Sequence, residues 1–427
     1  MKRFVWSELD AKARQEALKR PANRADPEIA AVVQRIFADV EREGADAVKR
    51  WSVTIDKAEP VELALTPKAV DAARAKLAAE DLAALNLAVA NVRGFHEATK
   101  PADSQVEVRA GVRCRRVWRA IESCGLYIPG GTAPLFSTLI MLAAPAAVAG
   151  VPQRVAVTPP SKAGVHPMMI AAAAACGLES IWIVGGAQAI AALTFGAGVP
   201  KADKIFGPGN AYVAEAKRFA AALPGGPAID VPAGPSELMV IADEGADETI
   251  VAADLLSQAE HAEDAQVILA TPSEAFAAAV EAAVERQVAT LPRVEIARAA
   301  LRHSRSFITA DLAAAADIAN AFAAEHLSLQ VAEPEALIER ITHAGAVFVG
   351  RYSGETFGDY ISGPSHVLPT DGAARTWAGI GVASFMKSFT VQELSADAAR
   401  LLAGPTARLA RLEGLEAHAR AADARAV

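Results

Sequence analysis

At 427 residues the chain has room for two to three domains of ~150 residues each. Hydrophobic residues make up 52% of it and the mean hydropathy is +0.22, enough for a large core. The net charge of −8, with 42 Lys and Arg scattered rather than gathered into runs, excludes the basic footprint of a nucleic-acid binder and directs attention to small-molecule partners. Cys114, Cys124 and Cys176 are odd in number and lack CxxC spacing, which argues against a disulfide framework. The opening "MKRFVWSELDAKARQ" has no apolar signal-peptide core, so the expected compartment is the cytoplasm.

From Asp26 to Lys100 apolar residues recur at spacings of three and four, the mark of amphipathic helices in a scaffold segment. The stretch "VEVRAGVRCRRVWRAIESCGLYIPGG" then alternates like strands and stops at a double glycine. Between Gly125 and Gly234 one theme repeats: a short apolar run, a Gly or Pro turn, then an Ala-rich helix. The runs are "GLYIPGG", "RVAVTPP", "SIWIVGGAQ", "KIFGPGN" and "AIDVPAGPS". Continuous apolar strands alternating with helices predict a parallel sheet covered on both faces. Ligands on such sheets bind beyond the carboxyl ends of the strands, where Gly130, Gly131, Gly185, Gly186, Gly207 and Gly209 fall. Leu135 to Pro152 is uncharged and nearly long enough to span a bilayer, but Pro145 and the flanking Gly and Pro suit a buried helix better, and no membrane role is expected.

After Ser236 the theme recurs in "ELMVIADE", "AQVILATPS", "SFITADL", "LSLQVAE" and "AVFVG", predicting a second parallel sheet. Beyond Gly379 the pattern reads as a loop and then a helical tail too short for its own core. The expected fold is α/β, with two Rossmann-like parallel-sheet domains, a helical N-terminal segment at 1–23 and an extended helical C-terminal tail at 380–427. Residues 24–126 plus 236–379 are expected to form the larger α/β domain, and 127–235 a Rossmann-like domain.

Six of the eight histidines lie after residue 260. In "ETIVAADLLSQAEH", Gln258 and His261 share a helical face with Val251 and Asp254 that should point inward. Metal ligation and an ordinary hydrogen-bonded core histidine both fit that spacing. Glu325 and His326 stand where a helical pattern gives way to the alternating Leu327, Leu329 and Val331. An adjacent Glu and His could supply two bases of different strength, or an ordinary ion pair. Asp359 and His366 fall in the Gly- and Pro-punctuated "GETFGDYISGPSHVLPT", read as a loop after a strand, where functional side chains concentrate but where Asp is also a common turn former. Glu413 and His418 lie in the tail, where a solvated helix face would look the same. Together these offer histidines, a carboxylate and an amide oxygen on separate elements, a donor set that suits a divalent metal, zinc above all.

The ordered motifs "GLYIPGGTAPLFST", "VGGAQAIAALTFG", "KIFGPGNAYVAEAKR", "DVPAGPSELMVIAD", "LLSQAEH", "AEHL", "GDYISGPSHVLPT" and "TVQELS" resemble the histidinol dehydrogenase family from about residue 20 to His418. The resemblance implies a homodimer with one Zn2+ per subunit that oxidises L-histidinol through histidinal to L-histidine with two NAD+, the last step of histidine biosynthesis. Carried over by motif, Gln258, His261, Asp359 and His418 are the zinc ligands and Glu325 and His326 the catalytic pair. Ser236, His366 and Glu413 complete the substrate contacts, and Tyr127, Gln188 and Asn210 are the NAD contacts. The same resemblance has the tail carrying Glu413 and His418 enter the partner's active site.

No full GxGxxG precedes a helix, so NAD binding rests on the resemblance alone. The sequence departs from the commoner family pattern at Ala324, at Ser365 and at the "AED" after His261, none of them a ligand or base. Three rival readings are a relative acting on another small alcohol, a zinc hydrolase with Glu325 as base, and a catalytically silent metal binder. The first would leave Ser236, His366 and Glu413 unpaired. The second leaves the glycine-ended first sheet without a purpose, and the third does not explain an intact Glu325 and His326.

Overall fold

The structure, a computed structural model, describes residues 1–20, 27–130, 134–230 and 234–427; Gly131 lies outside the described residues. Both expected parallel sheets are present. The first runs in the order Val61–Ala64, Ser180–Ile183, Gln153–Thr158, Ser123–Tyr127, Lys204–Phe206, Ala228–Ile229. Only its edge strand Val61–Ala64 is antiparallel to its neighbour. Counting from Ser123–Tyr127, the strands lie 3-2-1-4-5, so the chain reverses direction across the sheet between Ser123–Tyr127 and Lys204–Phe206. A crevice opens beyond the carboxyl ends of strands at such a reversal.

The second sheet repeats that order with Glu237–Ala242, Gln266–Thr271, Arg305–Ile308, His326–Gln330 and Ala346–Val349 as strands one to five. Its central strands "ELMVIA" and "QVILAT" are buried at every position, which explains why they carry apolar runs instead of alternation. The chain's first strand, Lys2–Val5, joins this sheet parallel to Arg305–Ile308, so the 1–23 segment is not wholly helical.

The packing also divides the chain differently from the expected grouping of 24–126 with 236–379. Val33, Ile36, Phe37 and Val40 of the helix Pro27–Glu43 join the core around Tyr127, Val155 and Val157 of the first sheet. Leu85, Val89 and Val92 of the helix Ala79–Ala98 pack with Leu126 and Leu139 on the same sheet. Their apolar stripes match the first sheet's faces, and periodicity alone does not say which of two sheets a stripe will cover. The helix Phe136–Ala149 is buried almost throughout despite Pro145, as its composition required. Among the described residues no helix is long and apolar enough to cross a membrane.

A third sheet was not expected. Met386–Leu394, read from the sequence as loop, pairs antiparallel with Val112–Ala120, which pairs in turn with Ser104–Arg109. Two helices follow, Ala396–Leu412 and Glu416–Asp423, and form the tail. Tail and small sheet leave Phe389, Leu401, Leu409, Leu412 and Leu415 exposed.

Candidate active site

The second sheet presents the amino ends of its strands to a cavity of about 380 Å³. Ser236 precedes its first strand, Glu325 and His326 stand at the start of its fourth, and Gln258 and His261 stand at and just beyond the end of the helix that leads into its second. Asp359 and His366 complete the polar wall. Asp359 stands on a short helix, Glu355–Tyr360, and not on the expected loop, because the residues after Gly354 close one helical turn. His261 lies two residues past the end of its helix, with its side chain 45% exposed, so it faces the cavity from a turn and not from a buried stripe.

Glu237 anchors the catalytic candidates. Its amide N–H donates to Glu325 Oε2 at 3.0 Å, and its carbonyl oxygen lies 3.1 Å from His326 Nδ1. A carbonyl only accepts, so Nδ1 carries the proton and Nε2 keeps the lone pair. That Nε2 is buried, has no hydrogen-bond partner among the described residues, and sits 3.8 Å from Asp359 Oδ1. Glu237 is held in turn by Arg20, whose guanidinium pairs with its carboxylate and donates to the Phe322 carbonyl at 2.8 Å. His366 donates from Nδ1 to the Asp359 carbonyl at 2.8 Å, and its Nε2 lies 3.4 Å from the Thr138 hydroxyl.

Burial sets the protonation of the cluster. It pushes the Glu325 carboxyl well above the usual range against the opposing Glu237 amide bond. It drives His326 down to about 3 and His366 to about 4, so both rings are neutral near pH 7. Asp359 is raised to about 6 by burial, with His261 opposing, and burial lowers His261. His261 Nε2 and Asp359 Oδ2 lie 3.7 Å apart. Ligand atoms of His261, Asp359 and Glu355 all fall within 4.8 Å of one another. Three such donors converging where carboxylates are costly to charge match the needs of a divalent cation, whose own charge would offset that cost.

Glu355 is a residue the sequence reading missed. It is 1% exposed and four residues before Asp359, a spacing that puts both on one helical face once the segment is recognised as a helix. Gln258 is fully buried and its amide lies beside Glu355. Its inward end lies 3.0 Å from the protonated His326 Nδ1, 3.2 Å from Glu355 Oε1 and 3.3 Å from the Glu237 carbonyl, and an oxygen there accepts from the imidazole N–H.

The cavity meets the first sheet at the carboxyl ends of its central strands, through Pro129, Gly207, Gly209 and Asn210. Pro129, Gly209 and Asn210 also line a neighbouring cavity of about 420 Å³ with Tyr127, Gln188 and Asp56. Gly207 holds φ +116°, and a Cβ there would lie 2.0 Å from the Tyr127 carbonyl, so only glycine fits. The buried Lys217–Asp230 ion pair clamps this residue from both sides: Lys217 donates to its carbonyl at 2.9 Å and Asp230 Oδ2 accepts from its N–H at 2.6 Å. Asn210 caps the helix Ala211–Ala222, accepting from Tyr212 and Val213 at 3.1 and 3.2 Å. Tyr127 accepts from the Gly186 N–H at 3.2 Å, and Gln188 donates to Asp56 at 2.8 Å. Asp56, too, was missed.

A family model described as histidinol dehydrogenase matches residues 18–426. The chain belongs to the histidinol dehydrogenase family. Members of this family are NAD-dependent oxidoreductases. The chain is 48% identical over 414 residues to the histidinol dehydrogenase of Salmonella typhimurium, a match covering 97% of this chain and 95% of the relative. It is 47% identical to the Escherichia coli K12 protein of the same name over the same shares. The crystal structure of histidinol dehydrogenase from Elizabethkingia anophelis superposes with a TM-score of 0.95 at 39% identity, covering 100% of this chain and 98% of that one.

Of the residues that the family resemblance singled out, Ser236, Gln258, His261, Glu325, His326, Asp359 and His366 share the first cavity, and Tyr127, Gln188 and Asn210 share the second. Glu413 and His418 line neither; both are exposed on the tail. Of the departures from the commoner family pattern, Ala324 is buried, and Ser365 closes its own turn by accepting from the Val367 N–H at 3.2 Å.

Proposed function

We propose that the protein catalyses the zinc-dependent, four-electron oxidation of L-histidinol to L-histidine through L-histidinal, using two NAD+, as the final step of L-histidine biosynthesis in the cytoplasm. The observation that carries this reading is the buried, unpartnered Nε2 of His326, aimed into a cavity that also holds Glu325, Gln258, His261 and Asp359. Gln258, His261, Asp359 and the partner subunit's His418 would hold the zinc, which when bound would acidify the substrate hydroxyl and orient its amino and imidazole nitrogens. A bound nicotinamide would supply the hydride acceptor for each half-reaction. Residues 127–235 are the domain that binds it, with Tyr127, Gln188 and Asn210 as contacts.

His326 Nε2 takes the hydroxyl proton while Nδ1–H stays fixed on the Glu237 carbonyl, so the ring does not turn during transfer. Glu325, pinned through Oε2, takes a proton from water as the water oxygen attacks the aldehyde carbon. Once His326 Nε2 has given its first proton to solvent, it receives the proton of the hydrated aldehyde as the second hydride leaves. Ser236 and His366 hold the substrate, and keeping the aldehyde in this cavity avoids releasing a reactive intermediate.

The tail, residues 380–427, is proposed to pack on a second copy, bringing Glu413 and His418 to the partner's cavity in a homodimer with shared active sites. Its exposed Leu401, Leu409, Leu412 and Leu415 support that reading. NADH formation with limiting L-histidinol tests the whole. Two NADH per histidinol, abolished by a chelator and restored by zinc, is the expected result. One NADH would mean that the Glu325 half-reaction fails or that another alcohol is the substrate, and none would return the hydrolase reading.

A further inference from the structure

The second cavity, of about 420 Å³, holds one charged group, Asp56, to which the proposed chemistry gives no task; no lysine or arginine is among the described residues that line it. Asp56 follows the helix Ala45–Ile55 and carries its carboxylate to the start of the helix Gly186–Phe195. There it accepts from the Gly185 N–H and, at 2.8 Å, from Gln188 Nε2. Two donors and a helix N-terminus favour the charged form, against the rise in pKa that half-burial brings. Gln188 is fully buried, and with its nitrogen on Asp56 its Oε1 has no hydrogen-bond partner among the described residues. A carboxylate and a neighbouring amide oxygen are both acceptors, so they call for hydroxyl donors in a ligand. The two cavities share Pro129, Gly209 and Asn210. A dinucleotide whose nicotinamide lies beside His326 therefore sends its other nucleoside into the second cavity, where Val32, Ile36, Trp51 and Ile55 give a base an apolar wall.

We propose that Asp56 is a specificity-determining residue that selects a dinucleotide with a free ribose diol at its adenosine end and rejects one carrying a 2′-phosphate there; this rests on the NAD reading above. The diol supplies two O–H donors, one for Asp56 and one for Gln188 Oε1. A phosphate in the same place brings only acceptors and a charge of about −1.5 to −2 against a carboxylate, with no cation lining the cavity to offset it. The rival is that Asp56 serves only to hold Gln188 and the turn at Gly185, in which case it supports both kinds of dinucleotide alike.

The test titrates NADH and NADPH, each followed by its fluorescence, into the full chain, so that it reads binding and not turnover. Wild-type protein is expected to bind NADH ~100-fold more tightly than NADPH. Asp56→Asn keeps the shape and can still accept from Gln188 but loses the charge, and the preference should fall ~10–100-fold. Both ligands are measured on one preparation, so a misfolded fraction cancels from the ratio; if Asp56→Asn yields no folded protein, Asp56→Ser gives the same reading. Gln188→Ala removes no charge and should leave NADPH the poorer ligand; a ratio that falls as far there as in Asp56→Asn would overturn the proposal. A wild type that binds both dinucleotides equally also overturns it. A wild type that binds neither removes the NAD reading and this proposal together; wild-type NADH binding with an unmoved ratio in Asp56→Asn removes the proposal alone, in favour of the holding role.

Discussion

The first and second sheets share the strand order 3-2-1-4-5 but turn opposite ends toward the cavity between them. The first offers carboxyl ends, with glycines and helix N-termini and few groups that titrate, which suits a ligand carrying phosphates. The second offers amino ends, where Glu325, His326 and Ser236 precede or open strands and Gln258 ends a helix. One architecture thus serves two tasks by orientation: backbone recognition at one end of a sheet, and side chains rooted in a rigid strand start at the other. The usual rule that α/β sheets bind ligands beyond their carboxyl ends holds for the first sheet only.

Substitutions on the two sides should separate accordingly. His326→Asn is expected to lower kcat by ~10²–10⁴ with little change in KM for NAD+, and Glu325→Gln should yield close to one NADH per histidinol; steady-state and single-turnover assays read both. The next largest effects fall on two anchors. Lys217→Met leaves the buried Asp230 without its counter-charge, and Arg20→Met does the same to Glu237; each should cost about 3–5 kcal/mol by denaturant unfolding. Their kinetic signatures should differ: the first raises KM for NAD+ through Gly207, and the second lowers kcat through Glu325 and His326. If both variants changed the same parameter, the division between the sheets would be broken.

A smaller effect concerns His96, a buried histidine on the helix Ala79–Ala98, whose two ring nitrogens have no hydrogen-bond partners among the described residues and whose pKa burial pushes down to about 4. Between pH 6.5 and 4 the unfolded chain binds a proton there that the folded chain does not, so stability is present above this window and falls as pH drops through it. The contribution should be about 2–3 kcal/mol, and His96→Leu should flatten the slope in unfolding measured at a series of pH values.

The two sheets also differ in how far the sequence discloses them. Strands such as "ELMVIA" and "QVILAT" announce themselves because burial on both faces demands unbroken apolar runs. The glycine-ended strands of the first sheet point directly to its ligand end, since Gly207 has no alternative there. Nothing local states which end of the second sheet meets the first, because that depends on how two finished sheets pack. Arg20 and Glu237 are separated by 217 positions, and their pairing is invisible until the strands assemble. Glu355 escaped for a simpler reason: the glycines around it read as a loop, which hid its helical spacing from Asp359. Met386–Leu394 has a mostly exposed pattern that burial-based reading does not register as a strand. The motif resemblance named ten residues lining the two cavities, whereas Glu413 and His418 lie on an exposed tail whose partner a single chain does not contain.

The division of labour between the sheets is tested most directly by titrating NADH, followed by its fluorescence, and zinc into Asp359→Ala and Gln188→Ala proteins. Asp359→Ala should lose zinc and keep its NADH affinity, and Gln188→Ala should bind zinc normally and NADH weakly. If each variant lost both ligands together, the two sheets would form one undivided site and the account would be wrong.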